Sequence, residues 1–168
     1  MIRKRKFKRG KYLPDNPKKY IGPYPIVYRS SWELKMNQYF DRNPLVLKWA
    51  SEPFAIPYRL PDGTTHRYFP DYYIELRTSE TIKKLVIEVK PLKETRKPRK
   101  SRDKKDSTKL YEERAFQKNT AKWKFCRIFC KKRGYEFTIF TEREIFPEKY
   151  KAKKSRNMSK RSPKRKKR

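Results

Sequence analysis

The chain has 168 residues, of which 49 are Lys or Arg and 18 are Asp or Glu, giving a formal net charge of +31. No apolar run approaches the ~20 residues of a membrane span, and no hydrophobic stretch follows the basic N-terminus, so we expect neither a membrane protein nor a secreted one. Two cysteines and one histidine are too few for a structural zinc site, and we expect Cys126 and Cys130 to pack as small hydrophobes.

The positive charge is concentrated in three stretches. Residues 1–19, 93–109 and 149–168 carry net charges of +8, +6 and +12, whereas the remainder carries +5. Clustered Lys and Arg gain affinity for polyanions by releasing phosphate counterions, so this distribution indicates a nucleic acid partner. We therefore predict a basic N-terminal arm at 1–25, a folded domain at 26–148 that includes the basic loop at 93–109, and a basic disordered tail at 149–168.

The first half of the chain reads as short elements separated by prolines and turns. The predicted elements are, in chain order, irregular chain at 1–25, a helix at 30–41, strands at 45–49 and 54–60, and a turn at 61–64. An apolar stripe through Trp32 and Met36 supports the helix, which Asn43 and Pro44 would end. Pro57 makes the second strand an edge strand, because proline cannot donate to a ladder.

The second half contains the longest predicted helix. The predicted elements are a strand at 68–76, a hairpin loop at 78–81, a strand at 85–90, a mobile lysine-rich loop at 91–109, a helix at 110–133, a strand at 135–140 and a short helix at 141–146. A break in the long helix near 118–120 remains open, and Gly134 suits its C′ position. This order predicts an α/β or α+β fold with a mixed β-sheet flanked by helices.

The strands at 68–76 and 85–90 carry two acidic residues that should face each other. A four-residue loop that pairs Arg77 with Ile82 places Asp71 directly opposite Glu88. Two carboxylates at roughly 5 Å between Cβ atoms repel each other unless a cation lies between them. With Lys90 two residues further on, the arrangement predicts metal-dependent phosphodiester chemistry.

Three motifs occur in a fixed order, and the first two are Arg29-Ser30-Ser31-Trp32-Glu33 and His66-Arg67-Tyr68-Phe69-Pro70-Asp71-Tyr72. The third is Ile87-Glu88-Val89-Lys90-Pro91. Together they resemble the PD-(D/E)xK nuclease superfamily, and more narrowly the head completion nucleases of T4-like tailed phages, which are similar to the TnsA endonuclease domain. The resemblance covers about residues 20–92 and continues through 122–137. It implies a restriction-endonuclease-like core and Mg²⁺-dependent DNA endonuclease activity.

The same resemblance implies a catalytic set of Asp71, Glu88 and Lys90, with Glu33 as an acidic helix residue. Asp71 and Glu88 would hold Mg²⁺, for which Mn²⁺ can substitute, with the Val89 carbonyl as a further ligand. Lys90 would orient the attacking water and favour hydroxide through its charge, unless it only neutralises the carboxylates. Ser30-Ser31-Trp32-Glu33 reads as a capping box, in which Glu33 would bond back to the N-cap amide. Alternatively, Glu33 binds a second metal or orients water. No small-molecule cofactor is expected.

Other polar and aromatic side chains have less specific interpretations. We interpret His66 as a structural or phosphate-contacting residue rather than a general base. Lys122 reads as a solvated helix residue unless it faces the phosphate. Tyr68, Tyr72 and Tyr73 read as core residues, although tyrosines in such strands can also stack on bases.

The leading hypothesis is an endonuclease that acts on packaged DNA during phage head completion. Its expected partners are double-stranded DNA and phage capsid or portal proteins, and its expected location is the host cytoplasm, the virion or both. One alternative is a basic DNA-binding protein that stabilises filled capsids. Another is the nuclease subunit of a transposition system.

Overall fold

A computed structural model of the chain describes residues 9–99 and 104–150. Its elements are, in chain order, β1 Gly10–Tyr12, β2 Ile26–Tyr28, α1 Ser31–Arg42, β3 Val46–Ser51, β4 Ile56–Arg59, β5 Thr65–Tyr68, β6 Tyr72–Arg77, β7 Ile82–Val89, α2 Asp106–Arg133, β8 Glu136–Phe140 and α3 Glu142–Ile145. Single 3₁₀ turns lie at Pro17–Lys19 and Leu92–Thr95. Among the described residues, no helix combines the length and the apolar character that crossing a bilayer requires.

A four-stranded sheet forms the centre of the fold and confirms the predicted mixed α/β architecture. Its strand order is β3-β6-β7-β8, in which β3, β6 and β7 are antiparallel neighbours and β8 runs parallel to β7. A parallel neighbour requires a crossover connection, and the 28-residue helix α2 lies in that connection.

Helices pack on both faces of this sheet. On one face, Met36 and Phe40 of α1 belong to the same buried cluster as Ile74. On the other face, Cys126 of α2 packs in a cluster with Val86, and both cysteines are buried free thiols, as predicted. Because both faces are covered, consecutive residues of the central strands are buried rather than alternate ones.

The hairpin between β6 and β7 has the predicted register. Arg77 pairs with Ile82 and Tyr72 pairs with Ile87. The loop is closed by the amide of Thr78, which donates to the Thr81 carbonyl at 2.8 Å. Continuing this register by one residue places Asp71 opposite Glu88.

The single strand predicted at 68–76 is wrong, because the chain leaves the ladder between Tyr68 and Tyr72. Pro70 lies in this gap and has no N–H to donate, so the central sheet cannot continue through it. β5 pairs instead with β4 in a separate two-stranded ribbon, in which Pro57 lies opposite Arg67. The break allows Tyr68 and Asp71 to approach the end of β7 from different directions.

The irregular chain predicted at 1–25 is wrong for its described part, while residues 1–8 lie outside the described residues. β1 pairs with β2, and Tyr12 and Tyr20 are 8% and 7% exposed. Asp41 of α1 accepts hydrogen bonds from the Tyr12 hydroxyl at 2.9 Å and from the Asp15 amide at 2.7 Å. Three-residue strands separated by prolines leave no periodicity, which explains why the sequence pattern missed them.

The basic loop is shorter than predicted, since α2 begins at Asp106 and a 3₁₀ turn begins at Leu92. α2 is continuous through 118–120, so the break left open there does not occur. Gly134 ends the helix with a φ of +68°, as predicted. Residues 147–150 form a helical turn, and residues 151–168 of the predicted tail lie outside the described residues. The limits of the predicted domains therefore stay a prediction.

Candidate active site

The open end of the β6–β7 hairpin brings together the acidic and basic residues that the sequence singled out. Asp71 immediately precedes β6, Glu88 is the penultimate residue of β7, and Lys90 immediately follows β7. The backbone N–H of Lys90 donates to the Phe140 carbonyl of β8 at 3.0 Å. Three neighbouring strands thus position one small group of charged side chains.

Asp71 is held by the backbone of the opposite strand. Its Oδ2 accepts a hydrogen bond from the Val89 N–H at 2.6 Å. Burial raises the pKa of Asp71 well above its usual value, and the negative charge of Glu88 raises it further, whereas the Val89 hydrogen bond and the charge of Lys90 act in the opposite direction. The pocket therefore disfavours a second negative charge in the absence of a cation.

Glu88 is the most buried charged residue of this group, with 3% of its surface exposed. Its Oε2 accepts a hydrogen bond from the Tyr68 hydroxyl at 2.5 Å, and its Oε1 lies 3.4 Å from the Lys90 ammonium. Both carboxylate oxygens therefore have polar partners, as a buried carboxylate requires. The sequence analysis missed Tyr68 as part of the site, because its contact with Glu88 follows from the break before Asp71.

The surroundings of Lys90 favour its charged form. Its burial lowers its pKa, but the charges of Glu88 and Asp71 more than offset this, and the net result is a raised pKa. Lys90 is consequently protonated at neutral pH and supplies a positive charge beside the two carboxylates. A lysine in this state acts through its charge and its N–H donors rather than as a base.

Glu33 lies at the start of α1 and is engaged as a cap. Ser30 is the N-cap and accepts from the Glu33 amide, as predicted, but the Glu33 carboxylate accepts from the Arg29 amide at 2.8 Å and from the Ser30 hydroxyl at 2.9 Å. The predicted bond to the N-cap amide is thus replaced by one to the preceding residue. The charge of Glu33 also raises the pKa of Asp71, after the larger effects of burial and Glu88.

Tyr72 joins the first turns of α1 to the β6–β7 hairpin. Its hydroxyl donates to the Glu33 carbonyl at 3.0 Å and lies 2.8 Å from the Asn37 side-chain oxygen. Both Tyr72 and Asn37 are 1% exposed. The backbone of Glu33 is therefore fixed relative to β6, one residue from Asp71.

Lys122 of α2 faces the same group rather than solvent. Its ammonium lies 5.3 Å from the ring centroid of Tyr68 and 6.0 Å from that of Tyr58. Burial lowers the pKa of Lys122, although the charge of Glu88 acts in the opposite direction. The interpretation of Lys122 as a solvated residue is wrong, because α2 turns this side chain toward the ring that holds Glu88.

His66 lies on the exposed side of β5. Its Nε2 is 3.0 Å from the Thr64 hydroxyl, and its ring lies 5.6 Å from the Tyr58 ring. These contacts belong to the β4–β5 ribbon and its turn, consistent with a structural role.

The oxygen atoms of the group fit a hard divalent cation. Within residues 9–99 and 104–150, no three His, Cys, Asp or Glu side chains cluster as a complete metal site. Two carboxylates and one carbonyl suffice, however, for a cation such as Mg²⁺ that retains several waters. The Val89 N–H points to Asp71. In an extended strand the N–H and C=O of one residue face the same edge, so the Val89 carbonyl also lies on the side of Asp71.

The fold and this site define a nuclease domain. Residues 43–142 match the family described as TnsA-like endonuclease N terminal. The matched residues run from just before β3 to the first residue of α3 and include Asp71, Glu88 and Lys90. The chain belongs to this family. The head completion nuclease of enterobacteria phage T4 is 37% identical over 138 residues, which cover 79% of this chain and 90% of that protein.

Proposed function

We propose that this chain is a metal-dependent DNA endonuclease that hydrolyses phosphodiester bonds. The observation that carries the proposal is the pair of the buried Glu88 and the partly buried Asp71, with Lys90 beside it. The Lys90 ammonium lies 3.4 Å from Glu88, and the Val89 amide holds Asp71 at 2.6 Å. A protein retains two facing carboxylates that are largely removed from solvent at an energetic cost, and a cation-binding function accounts for that cost.

Asp71, Glu88 and the Val89 carbonyl are the residues that would hold Mg²⁺, or Mn²⁺ in its place. A bound divalent cation stabilises the charge that develops on the phosphate and lowers the pKa of a water molecule. The Val89 amide fixes the orientation of Asp71, and the Tyr68 hydroxyl fixes that of Glu88. These hydrogen bonds prepare the carboxylates before substrate arrives, so little reorganisation is needed on binding.

Lys90 would orient the attacking water and stabilise its deprotonated form through the positive charge. Its raised pKa supports this role, because the side chain stays charged at the pH of the cell. Glu33 would contribute an additional acid, either to a second metal or to the water. Its carboxylate oxygens already accept two hydrogen bonds at the helix N-terminus, so this role depends on rearrangement of the cap.

The similarity to the T4 protein, which is named a head completion nuclease, supports an action on packaged DNA during phage head completion. Double-stranded DNA would then be the substrate and capsid or portal proteins the partners, in the host cytoplasm or the virion. A second candidate function is a basic DNA-binding protein that stabilises filled capsids, which the net charge of +31 favours. The family match also leaves a transposition-type nuclease subunit as a variant of the first proposal.

Incubation of the purified full-length protein with supercoiled plasmid tests the proposal. We expect nicking or linearisation with Mg²⁺ and none with EDTA. Asp71→Ala should abolish cleavage, and Lys90→Ala should reduce turnover by ~10²-fold or more, in line with the loss of a positioned charge. The matched control is Glu80→Ala, which removes an exposed carboxylate from the opposite end of the hairpin and should cleave like the wild type.

Full activity of Asp71→Ala in Mg²⁺ would overturn the assignment of the site. If the wild type bound plasmid but cleaved it with neither Mg²⁺ nor Mn²⁺, the capsid-stabilising function would be favoured instead.

A further inference from the structure

A groove lies beside the proposed active site, between the segment 92–99 and the first half of α2. The cavity has a volume of about 760 Å³. All three buried residues of α2 lie in its second half, where it packs on the sheet: Trp123, Cys126 and Cys130. The first half extends beyond the sheet and forms one wall of the groove.

The described residues that line this groove carry an excess of positive charge. They include five Lys or Arg and three Glu. Two of the acids have partners within the wall: Glu112 binds the Lys104 ammonium at 2.7 Å, and Glu142 accepts from the Leu92 amide at 2.8 Å. The remaining charge favours a polyanion, and Arg96 and Lys97 are both exposed to meet it.

The groove also presents aromatic surface. Tyr111 on α2 lines it with 73% of its surface exposed, and the partly buried Phe116 lies one to two turns further along the same helix. An exposed tyrosine within a positive groove is the combination on which unpaired bases stack in proteins that bind single strands. An apolar peptide segment would gain nothing from the surrounding Lys and Arg side chains, so the groove suits a nucleic acid strand better.

Both walls of the groove continue along the chain toward the carboxylate pair. The wall formed by the segment 92–99 begins at Leu92, two residues after Lys90. Along α2, the lining residues Ala115 and Asn119 lie four apart, and Lys122 follows three residues later on the same face. The Lys122 ammonium lies over the Tyr68 ring, whose hydroxyl holds Glu88. A strand that follows this helix face would therefore arrive at the carboxylates.

We propose that this groove binds an unpaired strand of DNA, with phosphates on Arg96 and Lys97 and a base stacked on Tyr111. The volume suits a few nucleotides of one strand, since it lies in the range of small-ligand sites. The inference rests on the proposed nuclease function and narrows its substrate to DNA with a single-stranded end, flap or gap beside the duplex.

Fluorescence anisotropy in EDTA measures this binding without cleavage. The full-length protein is titrated with a blunt duplex and with the same duplex carrying a short single-stranded overhang. Wild type should bind the overhang DNA more tightly. Tyr111→Ala should weaken binding to the overhang DNA by about tenfold, the effect of losing one base stack, and should leave the blunt duplex unchanged. Tyr111→Phe retains the ring and should retain the preference.

The double variant Arg96→Ala/Lys97→Ala tests the contribution of charge and should weaken binding to the overhang DNA. The slope of log affinity against log salt should fall by about 1.4, at ~0.7 for each single-strand phosphate contact. Lys83→Ala/Lys84→Ala is the charge-matched control, because it removes two exposed lysines from the start of β7 and should affect both DNAs equally.

Equal effects of Tyr111→Ala on both DNAs, or none on either, would overturn the groove proposal. A preserved overhang preference in a protein that fails to cleave plasmid would leave the groove standing and reject the nuclease function, so the two failures are distinguishable.

Discussion

At the scale of single residues, the pKa of Asp71 has a consequence for stability. Burial and the charge of Glu88 raise it well above 3.8, so the folded protein binds this proton more tightly than the unfolded chain does. The stabilising contribution is complete below the unfolded pKa and is lost as the pH rises through the raised folded pKa. At neutral pH and without metal, Asp71 therefore makes folding less favourable than a neutral side chain would.

Asp71→Asn should consequently melt at a higher temperature than the wild type in EDTA at neutral pH, by about 2–4 °C for each kcal/mol relieved. The difference should shrink as the pH falls and should be smallest below 3.8, where the wild-type carboxyl is largely protonated in both states. Addition of Mg²⁺ should raise the melting temperature of the wild type and not that of the variant, because only the wild type would bind the cation. A variant that is less stable than the wild type in EDTA at pH 7 would contradict this account.

Tyr68→Phe removes a single hydroxyl that donates to Glu88 at 2.5 Å. Groups that orient metal-binding carboxylates typically contribute about 10–100-fold to metal affinity or activity. We expect the variant to need a roughly tenfold higher Mg²⁺ concentration for half-maximal cleavage, with DNA binding in EDTA unchanged. Tyr58→Phe, at another buried tyrosine of the same cluster, is the control. An unchanged Mg²⁺ requirement would make the Tyr68 hydroxyl a structural partner only.

At the scale of elements, α1 contributes an acid, Glu33, whose role as a helix cap can be separated from its proposed catalytic role. Glu33 accepts hydrogen bonds from the Arg29 amide and the Ser30 hydroxyl, and the Glu33 carbonyl accepts one from Tyr72. In Glu33→Gln the amide oxygen can still accept from the Arg29 amide, and the amide NH₂ can donate to the Ser30 hydroxyl in place of the bond that the carboxylate accepts. Helix capping of this kind is worth about 1 kcal/mol, which thermal melting resolves.

Glu33→Gln should therefore fold with nearly the wild-type melting temperature while losing cleavage in Mg²⁺. Glu33→Ala, which removes the cap as well, should lose both activity and about 1 kcal/mol of stability. Cleavage by Glu33→Gln at the wild-type rate would assign Glu33 to the cap alone.

The β6–β7 hairpin could be predicted from the sequence because its constraints are local. A four-residue loop fixes the pairing of Arg77 with Ile82, and the position of Asp71 opposite Glu88 follows by counting. The helix α1 and its Ser30 cap could be predicted for the same reason, since the signals lie within a few residues. The roles of Glu33 and Lys90 stay predictions.

The contacts that complete the site could not be predicted, because they join residues from separate elements. Tyr68 reaches Glu88 only because Pro70 interrupts the strand and β5 turns away to pair with β4. Lys122 approaches the Tyr68 ring only because of the rotation at which α2 crosses the sheet. Pro70 is a sequence signal for the break itself. The pairing of β5 with β4 and the rotation of α2 have no such local signal, and both depend on packing in the second core cluster.

At the scale of the whole molecule, the most basic segment lies far along the chain from the proposed active site. Residues 151–168 contain eleven Lys or Arg and no acid, whereas the carboxylate pair lies more than sixty residues upstream. DNA affinity should therefore depend on the charge of this segment, and turnover at saturating DNA should not.

Truncation after Tyr150 should reduce the slope of log affinity against log salt by about 5, if half of the eleven charges contact phosphates at ~0.9 each. A full-length variant with glutamine at those positions should behave in the same way, which separates charge from length. Turnover at low salt and saturating DNA should stay within a few-fold of the wild type. An unchanged salt slope would assign the segment to contacts with proteins and strengthen the capsid-stabilising alternative.

The parallel pairing of β7 with β8 sets an order in which the catalytic group is completed during synthesis. Asp71 and Glu88 lie at the open end of one local hairpin, and both of its strands are made before α2 and β8. The backbone of Lys90 is anchored by Phe140, which follows only after all of α2 has been made. A nascent chain that ends before β8 thus carries paired carboxylates without an anchored lysine. The chemistry would remain incomplete until the last strand of the sheet arrives, so unfinished chains should be harmless to DNA.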